Sequence, residues 1–167
     1  LLRPQGLNYA IDPSTKNRAT IGGGIANNSC GTHSVLYGKT LDPVIDVDVV
    51  LADGTETSFG ELGGPALAAK LDLPGLEGDA YRVTRRLAQE HRSAIDDRYP
   101  KIQRRVSGYN LDEFAGDGPL NLARMIVGSE GTRAFVTSAR VRLEPLPVLR
   151  GLAAVHFRSV ADVCGAV

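Results

Sequence analysis

The sequence predicts an α+β fold, an antiparallel sheet flanked by helices. Three observations predict it. Residues 45–51 and 135–143 alternate apolar and polar side chains, as half-buried strands do. Asp53-Gly54 joins the first of these to a strand-like run at 55–59, a hairpin signal. Between them lie segments with apolar residues three and four apart, the spacing of amphipathic helices. The order helix, hairpin, helices, strand points to an antiparallel rather than a parallel sheet.

The elements follow in order. Residues 12–20 are polar and turn-prone. They lead into Ile21-Gly22-Gly23-Gly24, read as a loop entering a short helix with Gly31 as its C-cap. In 45–51, Ile45, Val47, Val49 and Leu51 share one face, against Asp46, Asp48 and Val50. A type I′ turn would place both Asp53 and Gly54 at positive φ. Gly60–Pro65 reads as a mobile connector, and Pro65 opens a helix to residue 72. Residues 79–95 carry Ala80, Val83, Leu87, Ala94 and Ile95 as the apolar stripe of one helix, bounded by Pro100. A short helix occupies 121–127. In 135–143, Phe135, Thr137, Ala139, Val141 and Leu143 share a face, and Pro145 and Pro147 stop the strand. Residues 152–157 start a further strand and 159–167 a further helix.

Composition bounds the function. A chain of 167 residues with 43% hydrophobic and 23% charged residues suits one soluble domain or a large subdomain. Net charge is zero, so no global field favours nucleic acid or a membrane. The charge is uneven: residues 41–78 hold eight acids and one lysine, residues 79–105 eight Lys/Arg and four acids. The basic stretch reads first as a solvated helix face, and second as an attractor of an anionic substrate. Cys30 and Cys164 stand far apart in no metal or disulfide pattern, which fits a reducing cytoplasm and no metal site. No apolar run reaches membrane-spanning length.

The 19 glycines ask for a local reason. Two segments concentrate them: Thr20-Ile21-Gly22-Gly23-Gly24 and Gly128-Ser129-Glu130-Gly131-Thr132. Each can turn backbone N–H groups toward an anion, and the first precedes a helix N-terminus. On composition alone, a structural turn competes equally with a phosphate site. Neither the P-loop nor the Rossmann spacing is present.

Taken together the motifs carry more. Asp12-Pro13-Ser14, Ala19-Thr20-Ile21-Gly22-Gly23, Asn27-Asn28-Ser29-Cys30-Gly31, Tyr37-Gly38, Val50-Leu51-Ala52-Asp53-Gly54, Ser107-Gly108-Tyr109-Asn110-Leu111 and Val127-Gly128-Ser129-Glu130-Gly131-Thr132 follow one another. This ordered set resembles the FAD-linked oxidase family, with the flavin fold of vanillyl-alcohol oxidase and p-cresol methylhydroxylase (PCMH). The sub-branch resembles bacterial FAD/FMN-containing dehydrogenases of D-2-hydroxyglutarate, D-lactate and glycolate. The inserted helix and Pro100–Tyr109 resemble the long members that also carry iron–sulfur domains. The resemblance implies the second lobe of a PCMH-type FAD-binding domain over residues 1–147, with a helical insertion at about 61–106. Residues 148–167 would begin the next, substrate or cap, domain. It implies that Pro13, Ser14, Ala19, Thr20, Gly22 and Gly23 line the FAD diphosphate and ribityl chain. Asn27, Asn28, Cys30 and Gly31 would lie along the same cofactor. Glu130, Gly131 and main chain around Val136 would lie near its ribityl or adenosine end. Tyr109 and Asn110 would be substrate-proximal. Arg133 stands where the family usually has Leu, Phe135 in a stretch that usually reads Gly-Ile, and Ser138 where Glu is common.

The remaining candidates read blandly. His33 suits loop hydrogen bonding more than covalent attachment or proton transfer, His91 a helix surface and His156 a strand. Cys30 suits a crowded backbone approach. Arg104 and Arg105 read as surface charge before they read as a carboxylate clamp. Tyr109 is balanced between packed anchor and substrate contact. No catalytic residue is named. Both ends, Leu1-Leu2-Arg3-Pro4 and Cys164-Gly165-Ala166-Val167, read as cuts through a longer protein. That protein would supply the first FAD lobe and the cap. Its partners would be a small 2-hydroxy acid and an electron acceptor: a quinone, an electron-transfer protein or an iron–sulfur domain. Its place would be the cytoplasm, including the inner membrane face. Two alternatives stand: a non-catalytic nucleotide- or FAD-binding module, and a flavoprotein like the peptidoglycan-precursor reductase.

Overall fold

Val44–Val50 is the centre of the protein. In the computed structural model, which describes residues 1–149 and 151–166, this strand lies between two antiparallel neighbours. In chain order the described strands are β1 (Leu7–Asn8), β2 (Val44–Val50), β3 (Glu56–Phe59), β4 (Glu61–Leu62), β5 (Leu120–Asn121), β6 (Phe135–Val141) and β7 (Glu144–Pro145). The helices are α1 (Ile21–Ala26), α2 (Ser34–Tyr37), α3 (Gly64–Asp72), α4 (Gly75–Glu90), α5 (Arg92–Arg98), α6 (Ala123–Ile126) and α7 (Val160–Gly165). The main sheet runs β3-β2-β6, and β1 pairs with β7 and β4 with β5, all antiparallel. The mixed α+β class with antiparallel sheets is therefore as expected.

The strand alternation holds in part. Val47, Val49 and Leu51 are buried, but Ile45 is 43% exposed and Val44 takes its place inside. A register shift between Val44 and Asp46 against β6 turns the residue between them outward. The Ile45 carbonyl at this irregularity accepts from Asn121 Nδ2 at 3.1 Å. A second shift, between Asp48 and Val49, leaves Thr137 as the extra residue of β6, with its hydroxyl on the Asp48 carbonyl at 3.1 Å. Phe135 is consequently 72% exposed, and Val136, Ala139 and Val141 pack on the core. The predicted face of Phe135, Thr137, Ala139, Val141 and Leu143 is thus corrected at its first two members.

The hairpin between β2 and β3 exists, with a different turn. Leu51 N–H donates to the Thr55 carbonyl and Gly54 N–H to the Leu51 carbonyl. Of the two turn residues only Gly54 has positive φ. This is a three-residue loop rather than a type I′ turn. Gly60–Pro65 is not a loose connector: it contains β4, paired through Glu61–Asn121 and Leu62–Leu120.

The predicted helix 79–95 starts earlier and divides at His91 into α4 and α5. Its buried stripe is Gly78, Tyr81, Thr84 and Ala88, and Val83 is exposed. Gly78 sets this face. A Cβ there would lie 1.9 Å from the Leu73 carbonyl oxygen, so only glycine allows so close an approach. Tyr81 is fully buried edge-on to Phe59, ring centroids 5.9 Å apart. Pro65 stands in the first turn of α3 as expected. The predicted helix 121–127 is shortened to α6 by β5. Residues 152–157 form no strand; Leu152 is 99% exposed. The predicted helix 159–167 appears as α7, its last residue lying outside the described set. Among the described residues no helix is long and apolar enough to cross a membrane.

Two tests follow. Phe59→Ala should cost about 3–5 kcal/mol in urea unfolding, whereas Phe135→Ser should stay within about 0.5 kcal/mol; equal losses would contradict the register. Burial, with the nearby Glu77 carboxylate, pushes the Tyr81 phenol to about 12. Its folded pKa lies above the unfolded value, so the neutral form is favoured by folding. That stability is full below pH 10 and is lost toward pH 12, roughly 2–3 kcal/mol in all. Tyr81→Phe should remove this decline; parallel wild-type and variant curves over that range would refute it.

Candidate functional site

The site grows from the ends of α1. Six residues make fewer than two helical turns, so the end groups of α1 need partners from elsewhere. At the front, Thr20 Oγ1 accepts from Gly23 N at 3.0 Å, capping the helix. At the back, Asn27 is the C-cap and Asn28 adopts φ 51. The Ile25 carbonyl then accepts from Gly128 N and the Ala26 carbonyl from Glu130 N, both at 2.9 Å. Two glycine-rich segments, a hundred residues apart in sequence, are thereby joined by backbone hydrogen bonds.

Gly128 fits because its backbone stands at φ 82 and a Cβ there would come 3.2 Å from Asn28 Cβ. Asn28 and Asn110 pack around this point, both fully buried. Asn28 Oδ1 accepts from Leu41 N at 2.9 Å. Asn110 Nδ2 donates to the Arg124 and Val127 carbonyls at 3.0 and 2.8 Å. Asn28 Nδ2 and Asn110 Oδ1 are buried with no hydrogen-bond partner among the described residues.

Above this junction opens a cleft of about 690 Å³, bounded by Pro13, Asn27, Cys30, Tyr109, Gly128 and Glu130. The Tyr109 hydroxyl hydrogen-bonds with Thr132 Oγ1 at 2.8 Å, and the Arg133 guanidinium lies 4.1 Å from the Tyr109 ring centre. A second cleft of about 530 Å³ includes Tyr9, Asp12, Lys16, Ala19, Thr20 and His33. The two share Pro13 and Ser29. Burial raises the Tyr9 phenol above its ordinary value.

Asp12 organises the second cleft. Its carboxylate accepts from His33 N at 3.2 Å and pairs with His33 Nδ1 at 2.7 Å. The loop-bonding role expected of His33 is thus realised, with a partner the sequence did not name. Gly31 lies directly beneath: a Cβ would sit 2.0 Å from the Asp12 carbonyl oxygen. Its glycine is required by this approach, and the C-cap of α1 is Asn27, which corrects the C-cap expectation.

Pro13, Asn27, Cys30, Glu130 and Tyr109 therefore line the larger cleft, and Pro13, Ala19 and Thr20 the smaller. Ser14, Gly22, Gly23 and Gly131 are exposed and line neither. Val136 stands on β6 opposite Val49, packed on the core. Arg105 is buried, 8% exposed, correcting the surface-charge reading. Ser107, Ser129 and Thr132 also line the larger cleft. Motif order brought them near, but no separate signal marked them. Among the described residues no His, Cys, Asp and Glu group could hold a metal ion.

The model of the FAD binding domain matches residues 1–60. This FAD binding domain match covers α1, α2, the Asp12 loop and the whole β2–β3 hairpin. D-2-hydroxyglutarate dehydrogenase of Pseudomonas putida is 33% identical over 96% of the chain and 16% of its own length. The protein of that name in Escherichia coli K12 is 37% identical over 95% of the chain and 16% of its own length. Glycolate oxidase subunit GlcD of Bacillus subtilis is 33% identical over 86% of the chain and 20% of its own length. The chain thus spans about one sixth of the length of the two dehydrogenases.

Gly31→Ala should force Asp12 off its position and cost about 1–3 kcal/mol in chemical denaturation. Unchanged stability with an intact Asp12–His33 pair by NMR would show that the loop yields freely.

Proposed function

We propose that the chain is the second lobe of the FAD-binding domain of a flavin-dependent oxidoreductase that oxidises a D-2-hydroxy acid. One observation carries this reading. The Gly128–Thr132 segment lines one cleft and the Thr20–Gly24 segment, inside the FAD binding domain match, lines a second, and the two clefts share Pro13 and Ser29. An extended dinucleotide needs such a groove, and both volumes fall in the range of small-ligand pockets, roughly 300–1,000 Å³. The named relatives support the substrate class.

The residues fit FAD in their donor chemistry. The larger cleft offers the hydroxyls of Ser107, Ser129 and Thr132 and main chain of Ser107 and Gly108, the amides of Gly128, Ser129 and Thr132 being bonded within the fold. A Cβ at Gly22 would meet open space, leaving room for a ligand there. In this reading Pro13, Ser14, Ala19, Thr20, Gly22 and Gly23 hold the diphosphate and ribityl chain. Asn27, Cys30 and Gly31 lie along the cofactor. Glu130, Gly131 and the main chain at Val136 take its ribityl or adenosine end, and Tyr109 faces the substrate. Asn28 and Asn110 serve from beneath, by holding the Gly128 turn.

When bound, FAD supplies the acceptor for the substrate's C2 hydride. The chain's own part is to bind and orient the cofactor; the base for the hydroxyl proton is assigned to no residue here. Residues 1–147 form the lobe, with the helical insertion at about 61–106, and 148–167 begin the substrate or cap domain. A first FAD lobe, a cap and an electron acceptor (quinone, electron-transfer protein or iron–sulfur domain) complete the working protein. Two free cysteines suit the cytoplasm, with docking at the inner membrane face compatible.

The isolated 167-residue chain should bind FAD weakly and turn over nothing. The full-length protein should be yellow and bleach with a D-2-hydroxy acid; a colourless preparation that takes up no added FAD would sink the reading. Gly22→Ala separates site from scaffold. Alanine is the better helix former by about 0.5–1 kcal/mol, so the unliganded protein should be no less stable. FAD affinity should nevertheless fall, and unchanged affinity would remove Gly22 from the cofactor surface.

A further inference from the structure

The far wall of the larger cleft is Val106–Tyr109, where the chain returns from the helical insertion. No helix or strand contains these residues. Their anchor is the preceding residue. Arg105 is buried, and its Nη2 donates to both carboxylate oxygens of Asp112 at 2.6 Å. Its Cζ lies 4.9 Å from the centre of the Tyr99 ring. Its carbonyl accepts from Lys39 Nζ at 3.0 Å. The Tyr99 hydroxyl donates to the Tyr109 carbonyl at 3.2 Å. The wall is thus gripped at both ends by one group: Arg105 and its ring partner Tyr99.

A buried guanidinium is an expensive way to fill space. Its desolvation is offset only by close pairing, and an apolar side chain of equal volume often serves stability as well or better. What arginine adds is direction. One nitrogen, Nη2, reaches both Asp112 oxygens while the flat guanidinium face lies over the Tyr99 ring, so one group orients two partners. Both constraints meet at the loop that borders the cleft beside the Gly128–Thr132 turn, which it touches through Tyr109 and Thr132. Arg104, next in line, is exposed and carries none of this.

We propose that Arg105 is a positioning residue for the flavin cleft: through Val106–Tyr109 it sets the wall against which the ligand closes. This rests on the FAD reading above. Arg105 itself does not line the cleft, so its effect on a ligand must pass through that wall.

The test uses the full-length protein with FAD as the probe, comparing Arg105→Lys, Asp112→Asn and Arg104→Ala with wild type. Lysine keeps the charge without the fork, and asparagine keeps the shape without the charge, so both retain more of the fold than alanine would. Amide exchange at residues 106–109 should quicken in the first two variants. FAD affinity should fall by roughly ten- to a hundredfold, as for a binding group displaced by about an ångström. The visible flavin spectrum should shift with it. Arg104→Ala should match wild type in all three measurements. Unchanged exchange would show that Arg105 does not hold the wall. Faster exchange with unchanged affinity and spectrum would show that the wall does not position the flavin. A wild type that takes up no FAD overturns the underlying reading instead, while the exchange result still reports on the clamp.

Discussion

Two backbone hydrogen bonds, Gly128 N to the Ile25 carbonyl and Glu130 N to the Ala26 carbonyl, hold the site together. They exist because α1 is too short to satisfy its own end groups. The rest of the junction follows from them. Asn28 and Glu130 accept left-handed backbone at φ 51 and 52, and Gly128 stands at φ 82. Such conformations cost free energy for residues with a Cβ and persist where the surroundings fix them. Here the surroundings are the fully buried Asn28 and Asn110 side chains, each bonded to main chain of another segment.

The sheet delivers both partners to this meeting. Asn28 takes the Leu41 amide just before β2, and Gly128 follows α6, which packs on β2. Strand β6, continuing from the Gly128 turn, returns along the same central strand. Helices α3 and α4 pack on the same core cluster, and after α5 the chain returns to the cleft through Arg105. Stability and site geometry are therefore one problem in this fold. The core cluster of Val47, Val49, Phe59, Leu122 and Val127 is also the platform of the cleft.

How much of this was legible depends on where each constraint resides. Alternation found β2 and β6 because period-two burial is written in the strand itself. It missed the sides taken by Ile45 and Phe135, because a bulge depends on the partner strand and on Asn121 and Thr137. Helical spacing found α4 but misplaced its buried face, which a glycine contact with the Leu73 carbonyl decides. The order of the motifs placed both glycine segments in one site, and the structure brings them into contact. What they could not tell was the division of labour among their residues. Asn27 and Glu130 face the cleft; Asn28 and Asn110 lie under it. Side-chain direction after a left-handed residue is a tertiary property. Arg105 looked like its exposed neighbour Arg104, since nothing local distinguishes a guanidinium bound to Asp112 seven residues away.

Charge explains why the cleft depends so heavily on backbone geometry. Four of the chain's cations are committed elsewhere. Arg82 holds the Leu71 and Leu73 carbonyls, Arg105 holds Asp112, Arg124 holds Glu113 and Lys70 holds Glu77. Among the residues lining the larger cleft, Glu130 is the charged one. A ligand there meets oriented amides and hydroxyls rather than a positive field, and those groups attract over short distances only. Their orientation is worth most where water is excluded. The walls gathered here come from one body and leave the cleft open, so its donors remain hydrated. A second surface closing over the ligand would dry them and raise their strength. Under the proposed function that surface is the partner lobe, which is why a chain holding so many of the cofactor contacts is expected to bind it poorly by itself.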